Sequence, residues 1–423
     1  MSSTYPAYRD SRIAWLGMIP VGWNVVRLRH VCDCLDSLRV PLNAAERADR
    51  QGDIPYWGAN SVVDYVDGVL CDGELVLLGE DGAPFLEPNR TVAFFNQGPL
   101  WPNNHVHVLR PRTSGTGKFI AAALNATDYG TFIEGATRDK LTQAAMKSIP
   151  IPWPSYPEQA AIAAFIEAES SQLDRLISEQ QHLIELLNEK RQALISRAVT
   201  KGLNPVAPMK RSGVEWLGDV PAHWELCRGR WLFRKLDLPP HSDDGVVTAF
   251  RDGQVTLRDN RRTDGFTLAV LEVGYQRVRT GDLVIHGMDA FAGAIGVSES
   301  TGKCSPEYVV LTPARFDVDG EYFAMILRLM AKRNFIYVIC PSVRERAPRF
   351  RFEAFKDVIL PVPPLDEQRM IASHIRKSRG ASEALQSRAE KSISLLQERR
   401  TASIAAAVSG HIDVRGLVGA EVA

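Results

Sequence analysis

Residues 157–162 read Pro157-Glu158-Gln159-Ala160-Ala161-Ile162, and some forty residues without proline or glycine follow, ending in Glu189-Lys190-Arg191-Gln192-Ala193-Leu194-Ile195. Apolar side chains recur there at intervals of three, four and seven, at Ile162, Ile166, Leu173, Leu176, Leu183, Leu187 and Leu194. This spacing puts them on one face of a helix, which would be roughly 60–65 Å long. We expect so long a helix to bury that face against a second long helix.

The chain contains a second stretch of the same kind. Leu365-Asp366-Glu367-Gln368-Arg369-Met370-Ile371-Ala372 repeats its opening, and Glu398-Arg399-Arg400-Thr401-Ala402 repeats its end. Both the opening and the end are displaced by 209 positions, so the two stretches have the same length. Two unrelated amphipathic helices would not be expected to match in this way.

The remainder of the chain is also duplicated. Trp15-Leu16-Gly17-Met18-Ile19-Pro20-Val21-Gly22-Trp23 returns as Trp216-Leu217-Gly218-Asp219-Val220-Pro221-Ala222-His223-Trp224. Short apolar runs broken by Gly, Asn, Asp and Pro predict strands near residues 74–78, 91–95, 106–109, 282–285 and 308–311. One helix is predicted after the strands in each copy, near residues 118–124 and 321–332. The copies match best at their ends and worst in their middles.

These repeats predict an α+β fold made by internal duplication with a pseudo-twofold axis. Two mixed, mostly β domains are expected at residues 1–156 and 206–364. The first is followed by a long helix and linker at residues 157–205, and the second by a long helix and tail at residues 365–423. The two helices are expected to pair antiparallel as a coiled coil. A unit this long indicates a duplicated domain and not a solenoid array.

Composition points to an ordinary soluble protein. Of the 423 residues, 45% are apolar and 24% charged, and the formal net charge is zero, which argues against a polycation that coats nucleic acid. The six cysteines form no paired Cys-x-x-Cys motif, so neither a zinc site nor a disulfide framework is indicated. No signal pattern or membrane-spanning run is evident, and the expected location is the cytoplasm.

The sequence offers little catalytic machinery. Gly115-Thr116-Gly117-Lys118 resembles the end of a phosphate-binding loop, but Arg112 stands where its first glycine is required and Phe119 where a hydroxyl should follow. Hydrolase and metalloprotease motifs are absent from the sequence. Asn104, His105 and His107 could be metal ligands, although residues at the start of a strand more often make structural hydrogen bonds.

Basic residues are clustered in the second globular part. The candidate DNA-binding residues are Arg258, Arg261 and Arg262, then Arg344, Arg346, Arg349 and Arg351, the last four interleaved with Phe350 and Phe352, and in the first copy Arg138 and Lys140. Arginine binds phosphate bidentately and pairs with guanine in the major groove. A solvated, salt-bridged surface is an equally reasonable interpretation of residues 344–351 alone. Two unlike domains related by a pseudo-twofold would suit two different half-sites on duplex DNA.

The repeated motifs together resemble the specificity subunit of type I restriction–modification systems. They are Trp-Leu-Gly-x-x-Pro-x-x-Trp, Pro-x-x-x-Glu-Gln-x-x-Ile with its echo at residues 363–371, and Glu-Lys-Arg-Gln-Ala-Leu-Ile with its echo at residue 398. Further segments that look like this family are residues 79–82, 101–105, 251–253 and 287–289. The resemblance covers essentially the whole chain.

The resemblance implies a function without catalysis. The globular parts would be target recognition domains that read a bipartite, asymmetric site in double-stranded DNA. The long helices would pair and dock two methyltransferase subunits, and the helix residues expected at those contacts are Glu158, Gln159, Ile162, Leu187, Arg191, Glu367, Gln368, Ile371, Leu396 and Arg400.

This chain would need no cofactor. S-adenosylmethionine for adenine methylation, and ATP and Mg for DNA translocation and cleavage, are expected in the methyltransferase and restriction subunits. The assembled complex would protect host DNA by methylation and cut unmodified foreign DNA.

Three other functions remain open at this stage. They are a coiled-coil scaffold that does not touch DNA, a free-standing DNA-binding regulator, and a nicking or methylating enzyme with an unrecognised site. Binding to DNA in the presence of the methyltransferase distinguishes the first, and tight binding without a partner would identify the second.

Overall fold

The computed structural model describes residues 4–134, 139–261, 273–340 and 349–417. The chain divides into two compact units. Unit 1 comprises Met1–His182 with Ala389–Ala423, and unit 2 is Leu183–Arg388. Each long helix therefore contributes its first part to one unit and its second part to the other.

Unit 1 contains the first globular part. Its strands are β1 (Tyr8–Asp10), β2 (Met18–Pro20), β3 (Asn24–Arg27), β4 (Cys32–Cys34), β5 (Gln51–Trp57), β6 (Val62–Val66), β7 (Glu74–Gly79), β8 (Ala93–Gln97), β9 (Trp101–Pro102), β10 (Val106–Pro111), β11 (Ile133–Glu134), β12 (Lys140–Leu141) and β13 (Pro150–Trp153). Its helices are α1 (Ala44–Ala48), α2 (Gly117–Ala126), α3 (Gln143–Ser148) and the first part of α4 (Tyr156–Lys201).

Unit 2 contains the second globular part. Its strands are β14 (Met209–Arg211), β15 (Asp219–Pro221), β16 (Glu225–Arg228), β17 (Phe233–Lys235), β18 (Val247–Ala249), β19 (Val255–Leu257), β20 (Gln276–Val278), β21 (Leu283–His286), β22 (Ile295–Val297), β23 (Gly302–Cys304), β24 (Tyr308–Pro313) and β25 (Ile359–Val362). Its helices are α5 (Gly229–Leu232), α6 (Gly320–Lys332), α7 (Phe335–Ile339), α8 (Phe352–Phe355) and the first part of α9 (Leu365–Val408).

Both units are built on the same antiparallel sheet of four strands. Its order is β4-β10-β7-β8 in unit 1 and β17-β24-β21-β22 in unit 2. The central strand pairs have equivalent registers, with Val106 opposite Gly79 and Tyr308 opposite His286. The strand pairs β3–β13 and β16–β25 correspond as well. The predicted α+β fold with internal duplication is therefore confirmed.

The two units differ between these shared elements. Unit 1 has a three-stranded sheet, β6-β5-β9, whereas unit 2 has two two-stranded sheets, β18-β19 and β20-β23. These are the middles of the two copies, where the sequences match worst. The common sheet is thus combined with unlike neighbouring strands.

Each unit has its own core, to which both long helices contribute. In unit 1, Ile162 of α4 and Val408 of α9 are fully buried in the core around Trp23 and Phe119. Further along, Arg399 of α9 donates to Glu169 of α4 at 2.8 Å. As the residue number rises along α4, the number of the neighbouring α9 residue falls, so these segments run antiparallel.

Unit 2 repeats this arrangement with the roles of the helices exchanged. Val199 of α4 and Ile371 of α9 lie in the core around Trp224 and Tyr322. Arg191 and Glu383 form an ion pair at 3.8 Å. The segments are antiparallel here too, as the matched helix lengths predicted.

The repeated tryptophan motif closes the end of a long helix in each unit. Gly410, just after α9, has φ of +75° and lies against Pro20 and Trp23. Gly202, just after α4, has φ of +72° and lies against Pro221 and Trp224. A residue in the left-handed region commonly ends a helix, and glycine adopts that conformation without strain. The tryptophan motif therefore packs against a helix-terminating glycine in the same way in both units.

The predicted apolar face of α4 requires one correction. Leu173 is buried, but Leu176 and Leu183, which were expected on the same buried face, are 38% and 41% exposed. Ile177, one residue further along, is buried in place of Leu176. The helix period of 3.6 residues moves the buried stripe relative to a strict seven-residue repeat. In the part of the chain that the structure describes, no helix has both the length and the apolar character needed to span a bilayer.

Candidate nucleic-acid interface

A cavity of about 830 Å³ opens in unit 2 beside the end of the four-stranded sheet. The hairpin β18–β19 forms one wall, and the loops at the end of β21 and the start of β24 form another. Among its lining side chains are Phe250, Arg251, Asp252, Arg258, Arg261, Tyr275, His286, Asp289 and Tyr308. The cavity is therefore rich in guanidinium groups and aromatic rings.

Arg251 lies in the turn of the β18–β19 hairpin, and Arg261, which follows β19, contacts residues of that turn. Arg251 donates to Asp289 at 3.0 Å, and Arg261 pairs with Asp252 at 2.7 Å while lying 4.2 Å from the centre of the Phe250 ring. Partial burial raises the pKa of Asp252, but hydrogen bonds from Arg261 and the Gln254 backbone outweigh it and lower that pKa. The pair with Asp252 and the Phe250 ring together orient the guanidinium plane of Arg261, whereas Arg251 is 70% exposed and has one ion-pair contact in the described part of the chain.

The opposite wall carries neutral polar groups. The ring of His286 lies 4.5 Å from that of Tyr308, edge to face. Burial lowers the pKa of His286, and burial raises the pKa of Tyr308 to about 12, so both rings are uncharged near neutral pH. The Asp289 backbone N–H donates to Nδ1 of His286 at 3.1 Å, which leaves the proton on Nε2. This wall can offer hydrogen-bond donors without a net charge.

The structure brings part of the two predicted arginine groups to this end of the sheet. Arg258 and Arg261 line the cavity. Arg349 pairs with Glu307 at 3.3 Å, and the adjacent backbone N–H of Phe350 donates to Gly287 at 2.9 Å. Three further predicted residues, Arg262, Arg344 and Arg346, lie outside the described residues, whereas Arg351 is described and exposed.

The corresponding end of the sheet in unit 1 carries a different set of charges. Lys140 pairs with Glu80 at 3.5 Å, and Arg39 pairs with the same carboxylate. His105 hydrogen-bonds to Asp81 through Nδ1. Arg138 lies outside the described residues. The family-like segments at residues 79–82 and 101–105 thus meet at this edge, as residues 251–253 and 287–289 do in unit 2.

A buried polar network supports that edge in unit 1. Nδ1 of His107 contacts Asp36 at 2.7 Å, and Nε2 contacts the Leu141 carbonyl at 2.9 Å. Burial raises the pKa of Asp36, but the hydrogen bond and charge of His107 and the Val108 N–H more than offset this, so that pKa is lowered overall. Ligand atoms of Asp36, Glu80 and His107 lie within 4.8 Å of one another, a spacing that could hold a metal ion. However, both ring nitrogens of His107 already face oxygen acceptors, so this cluster works as a hydrogen-bonded support.

The predicted partner-binding residues of the long helices are largely used within the chain. Gln159 and Gln368 are buried and donate to the Pro154 and Pro363 carbonyls at 3.0 and 2.8 Å, so each fixes the start of its helix. Ile162 and Ile371 are fully buried. Their role in partner binding stays a prediction.

The other predicted helix residues are more accessible. Glu367 accepts from Trp224 Nε1 at 3.1 Å, and Arg191 and Arg400 pair with Glu383 and Asp174. Glu158, Leu187 and Leu396 are half-buried. A partner protein could therefore contact only the solvent-exposed atoms of these side chains.

Several residues of the candidate interface were not singled out as DNA-binding from the sequence. They are Phe250, Tyr275, His286 and Tyr308 in unit 2, and Arg39, Glu80 and His105 in unit 1. These side chains come from segments far apart in the chain, so no local spacing connects them. The one available signal was the family-like pattern of the neighbouring segments.

Comparison with known proteins agrees with this architecture. Residues 20–187 match the family model of the type I restriction modification DNA specificity domain. A protein of Haemophilus influenzae named as a type I restriction enzyme specificity subunit is 36% identical over 141 residues. That match covers 33% of this chain, and the chain spans only 36% of the length of that relative.

Two solved structures share the fold over nearly the whole chain. One is the HsdS subunit from Thermoanaerobacter tengcongensis, with a TM-score of 0.50, 16% identity, and coverage of 93% of this chain and 98% of that chain. The other is from a study of complex assembly and conformational transition of the type I R-M system, with a TM-score of 0.62, 16% identity, and coverage of 92% and 98%. Residues 20–187 therefore belong to the type I restriction modification DNA specificity domains, and the chain as a whole has the fold of a type I specificity subunit.

Proposed function

We propose that this chain is the DNA sequence-specificity subunit of a type I restriction–modification complex, in which each globular part reads one half of a bipartite, asymmetric DNA site. The observation that carries the proposal is the duplicated sheet with unlike side chains at the same end. A shared scaffold places two reading edges equivalently, and unlike side chains there would select unlike half-sites.

The chemistry of the unit 2 cavity supports DNA reading. Arg261 is held in plane by Asp252 and Phe250, and such a guanidinium can donate two parallel hydrogen bonds to guanine or to a phosphate. Neutral His286 and Tyr308 add groups that can contact base edges without the strong, sequence-independent attraction of a cation. Combined with paired carboxylates, this surface favours selective over indiscriminate binding.

Exposed apolar side chains on the long helices support docking of protein partners. Leu176 and Leu186 of α4, and Leu385 and Leu395 of α9, are each at least 38% exposed. Apolar side chains that stay exposed on a helix are unfavourable in water, and a partner helix that covers them removes this cost. We propose that two methyltransferase subunits cover these positions and that the restriction and translocation subunits join the same complex.

Catalysis and cofactors belong to the partners in this proposal. The described residues offer paired charges and structural hydrogen bonds at the candidate interface, and the chain would select the DNA that its partners modify or cut. S-adenosylmethionine, ATP and Mg would bind the partner subunits. The complex would act on DNA in the cytoplasm.

DNA binding measured with and without the methyltransferase subunit tests the proposal. We expect weak, salt-sensitive binding by the chain alone and tight, site-specific binding by the complex. The methylated adenines in the source genome should then define a two-part sequence. A coiled-coil scaffold would bind no DNA in either state, and a stand-alone regulator would bind its site tightly without a partner. Methylation or cleavage by the purified chain alone would also contradict the proposal.

A further inference from the structure

A second cavity in unit 2, of about 370 Å³, adjoins the reading-edge cavity, with which it shares Arg251 and Asp252. The end of α4, the start of α9, helix α6 and the turn at residues 251–253 surround it. Its walls combine apolar side chains such as Ile195 and Ile375 with basic ones. The basic residues are Arg191, Arg251, Arg328, Lys332, Arg376 and Arg379.

The positive charge of this cavity exceeds its negative charge. Six basic side chains stand against two lining carboxylates, Asp252 and Glu383. Glu383 is shared by Arg191 at 3.8 Å and Arg379 at 2.7 Å, and Asp252 is already paired with Arg261. Arg251 and Arg376 pair with carboxylates outside the lining, Asp289 and Glu321. The remaining excess of positive charge lies at Arg328 and Lys332.

Arg328 and Lys332 show this excess most clearly. Neither side chain forms an ion pair with any residue in the described ranges. Arg328 packs against the backbone of Gly253, where a Cβ would overlap its guanidinium, and its Nε is buried without a hydrogen-bond partner. Burial and the charges of Arg379 and Arg191 lower the pKa of Arg328, and burial with Arg328 and Arg191 lowers the pKa of Lys332. Cations held in this way are stabilised by an added anion.

The duplicated position in unit 1 shows that the scaffold does not require this charge. A cavity there of about 330 Å³ is lined by Arg400 and Ile404, which correspond to Arg191 and Ile195 at the common displacement of 209. Its described lining has only two basic residues, Arg90 and Arg400; Arg90 donates to the Thr127 carbonyl at 2.6 Å and Arg400 pairs with Asp174. The remaining polar lining is neutral.

An ion pair at equivalent positions has opposite polarity in the two units. In unit 2, Arg376 of α9 pairs with Glu321 of α6 at 2.7 Å. In unit 1, Glu167 of α4 pairs with Lys118 of α2 at 2.7 Å, at the equivalent positions. The fold accepts this ion pair in either orientation. The excess positive charge in unit 2 is therefore not a requirement of the fold.

We propose that the unit 2 cavity binds a small ligand carrying a di- or triphosphate chain, either inorganic or attached to a nucleoside. A phosphate chain carries several negative charges and matches the bidentate geometry of several arginines at once. The apolar walls beside Ile195 and Ile375 leave room for a nucleoside. A single carboxylate would neutralise too little of the charge.

Two macromolecular occupants fit less well. Under the proposed function, the two units dock copies of the same methyltransferase, and a repeated acidic segment of that partner would call for two basic cavities; only this argument depends on the proposed function. A DNA backbone would follow an extended groove, whereas this cavity is short and bounded by three helices and a turn. The small ligand therefore agrees best with both the asymmetry and the size of the cavity.

Calorimetric titration of the full chain with sodium tripolyphosphate, ATP and adenosine tests the site, in low salt without Mg. We expect one site per chain for tripolyphosphate. If ATP binds as tightly as tripolyphosphate, the site recognises the phosphate chain alone. If ATP binds more tightly, the site also contacts the nucleoside. Arg328→Gln with Lys332→Gln should weaken both ligands roughly tenfold or more.

A matched control removes the same charge elsewhere in unit 2. Arg234→Gln with Lys235→Gln, on the exposed positions of β17, should leave binding unchanged. Lys332→Glu, at the exposed rim of the cavity, should also weaken binding and serves if the double variant is unstable.

Three results would overturn the proposal: no binding of either phosphate ligand, equal binding by wild type and both cavity variants, or displacement of tripolyphosphate by a short DNA duplex or by poly-glutamate. The direct titrations, unlike the displacement experiment, contain no DNA and no methyltransferase, so their failure would leave the proposed DNA recognition standing. Failure of DNA recognition would likewise leave a measured phosphate site intact.

Discussion

Two contacts and a position in the cavity lining indicate more than a surface role for Arg261. It pairs with Asp252, lies over Phe250 and lines the cavity at the reading edge. We expect Arg261→Ala to weaken specific DNA binding by the complex by roughly 1–3 kcal/mol if the guanidinium contacts a base. Arg349→Ala should act in the same direction. Fluorescence anisotropy with specific and scrambled duplexes measures the difference.

The salt dependence and a control variant separate the possible roles of Arg261. Arg175→Ala removes an arginine that is 82% exposed on α4 and should leave binding unchanged. An equal loss for all sequences, with a salt slope smaller by about 1, would make Arg261 a phosphate contact. If a folded Arg261→Ala variant binds DNA as wild type does, Arg261 has only a structural role, as the ion-pair partner of Asp252.

Asp36 gives a prediction about stability and pH. Its carboxylate accepts from the Val108 N–H and faces His107, and its pKa in the folded protein is lowered. A lowered pKa means that its contribution is present above the unfolded pKa and is lost as pH falls through the folded value. Asp36→Asn should therefore cost roughly 1.5–3 kcal/mol near pH 7, and the difference from wild type should shrink below about pH 4.

Chemical denaturation from pH 3 to 8 checks this expectation. Asp33→Asn is the matched control, because the Asp33–Arg112 pair is more than half exposed and contributes little. A cost of Asp36→Asn that stays constant across this range would show that the charge of Asp36 is not what stabilises the edge.

At the scale of elements, the helix ends permit a comparison of three glycines. A Cβ on Gly410 would overlap the Pro20 ring, at a φ of +75°. On Gly202, also at positive φ, the nearest atom is a Glu367 carboxylate oxygen at 2.9 Å, farther than the Pro20 ring would be from a Cβ on Gly410. Gly410→Ala should therefore destabilise unit 1 by roughly 1–3 kcal/mol, and Gly202→Ala should cost unit 2 less.

Gly380, inside α9, is the internal control for these substitutions. It has open space around its Cβ position, so Gly380→Ala should stabilise the protein by roughly 0.5–1 kcal/mol. Thermal unfolding of the three variants gives the order directly. A Gly410→Ala variant as stable as wild type would mean that the tryptophan motif does not hold the end of α9 as described.

The elements also mark how far the sequence could predict the structure. The matched repeats predicted both long helices, which begin at Tyr156 and Leu365, and the apolar runs predicted the strands that become β7, β10, β21 and β24. These features are local or repeated, so periodicity and alignment of the copies reveal them. The exposure of Leu176 could not be predicted, because it depends on which neighbour covers that side of α4.

The sites were harder to predict than the elements. Arg261 was identified from a local cluster, but Phe250 and Tyr275, which line the same cavity, belong to no such cluster. The phosphate-sized cavity takes residues from both long helices and from α6, more than 180 positions apart in the chain. Only tertiary packing brings such residues together, and no spacing in the sequence encodes it.

At the scale of the whole molecule, duplication with divergence predicts that each unit controls one half-site. Lys140 and His105 lie at the reading edge of unit 1, and Arg261 and Tyr275 line that of unit 2. In a complex with the methyltransferase, Arg261→Ala with Tyr275→Ala should relax the sequence requirement in one half-site only. Lys140→Ala with His105→Ala should relax the other, because each unit has its own sheet and its own set of charges.

Binding to a randomised duplex library, or mapping of methylated adenines in cells that express each variant, measures the two half-sites separately. Arg175→Ala again serves as the control and should leave both half-sites unchanged. Each mismatched base pair at a contacted position normally costs about 1–3 kcal/mol, so a relaxed position should appear as a roughly 5- to 150-fold loss of discrimination there. Relaxation of the same half-site by both double variants would mean that the two edges read one continuous sequence, and the duplicated sheet would then serve assembly and not a bipartite target.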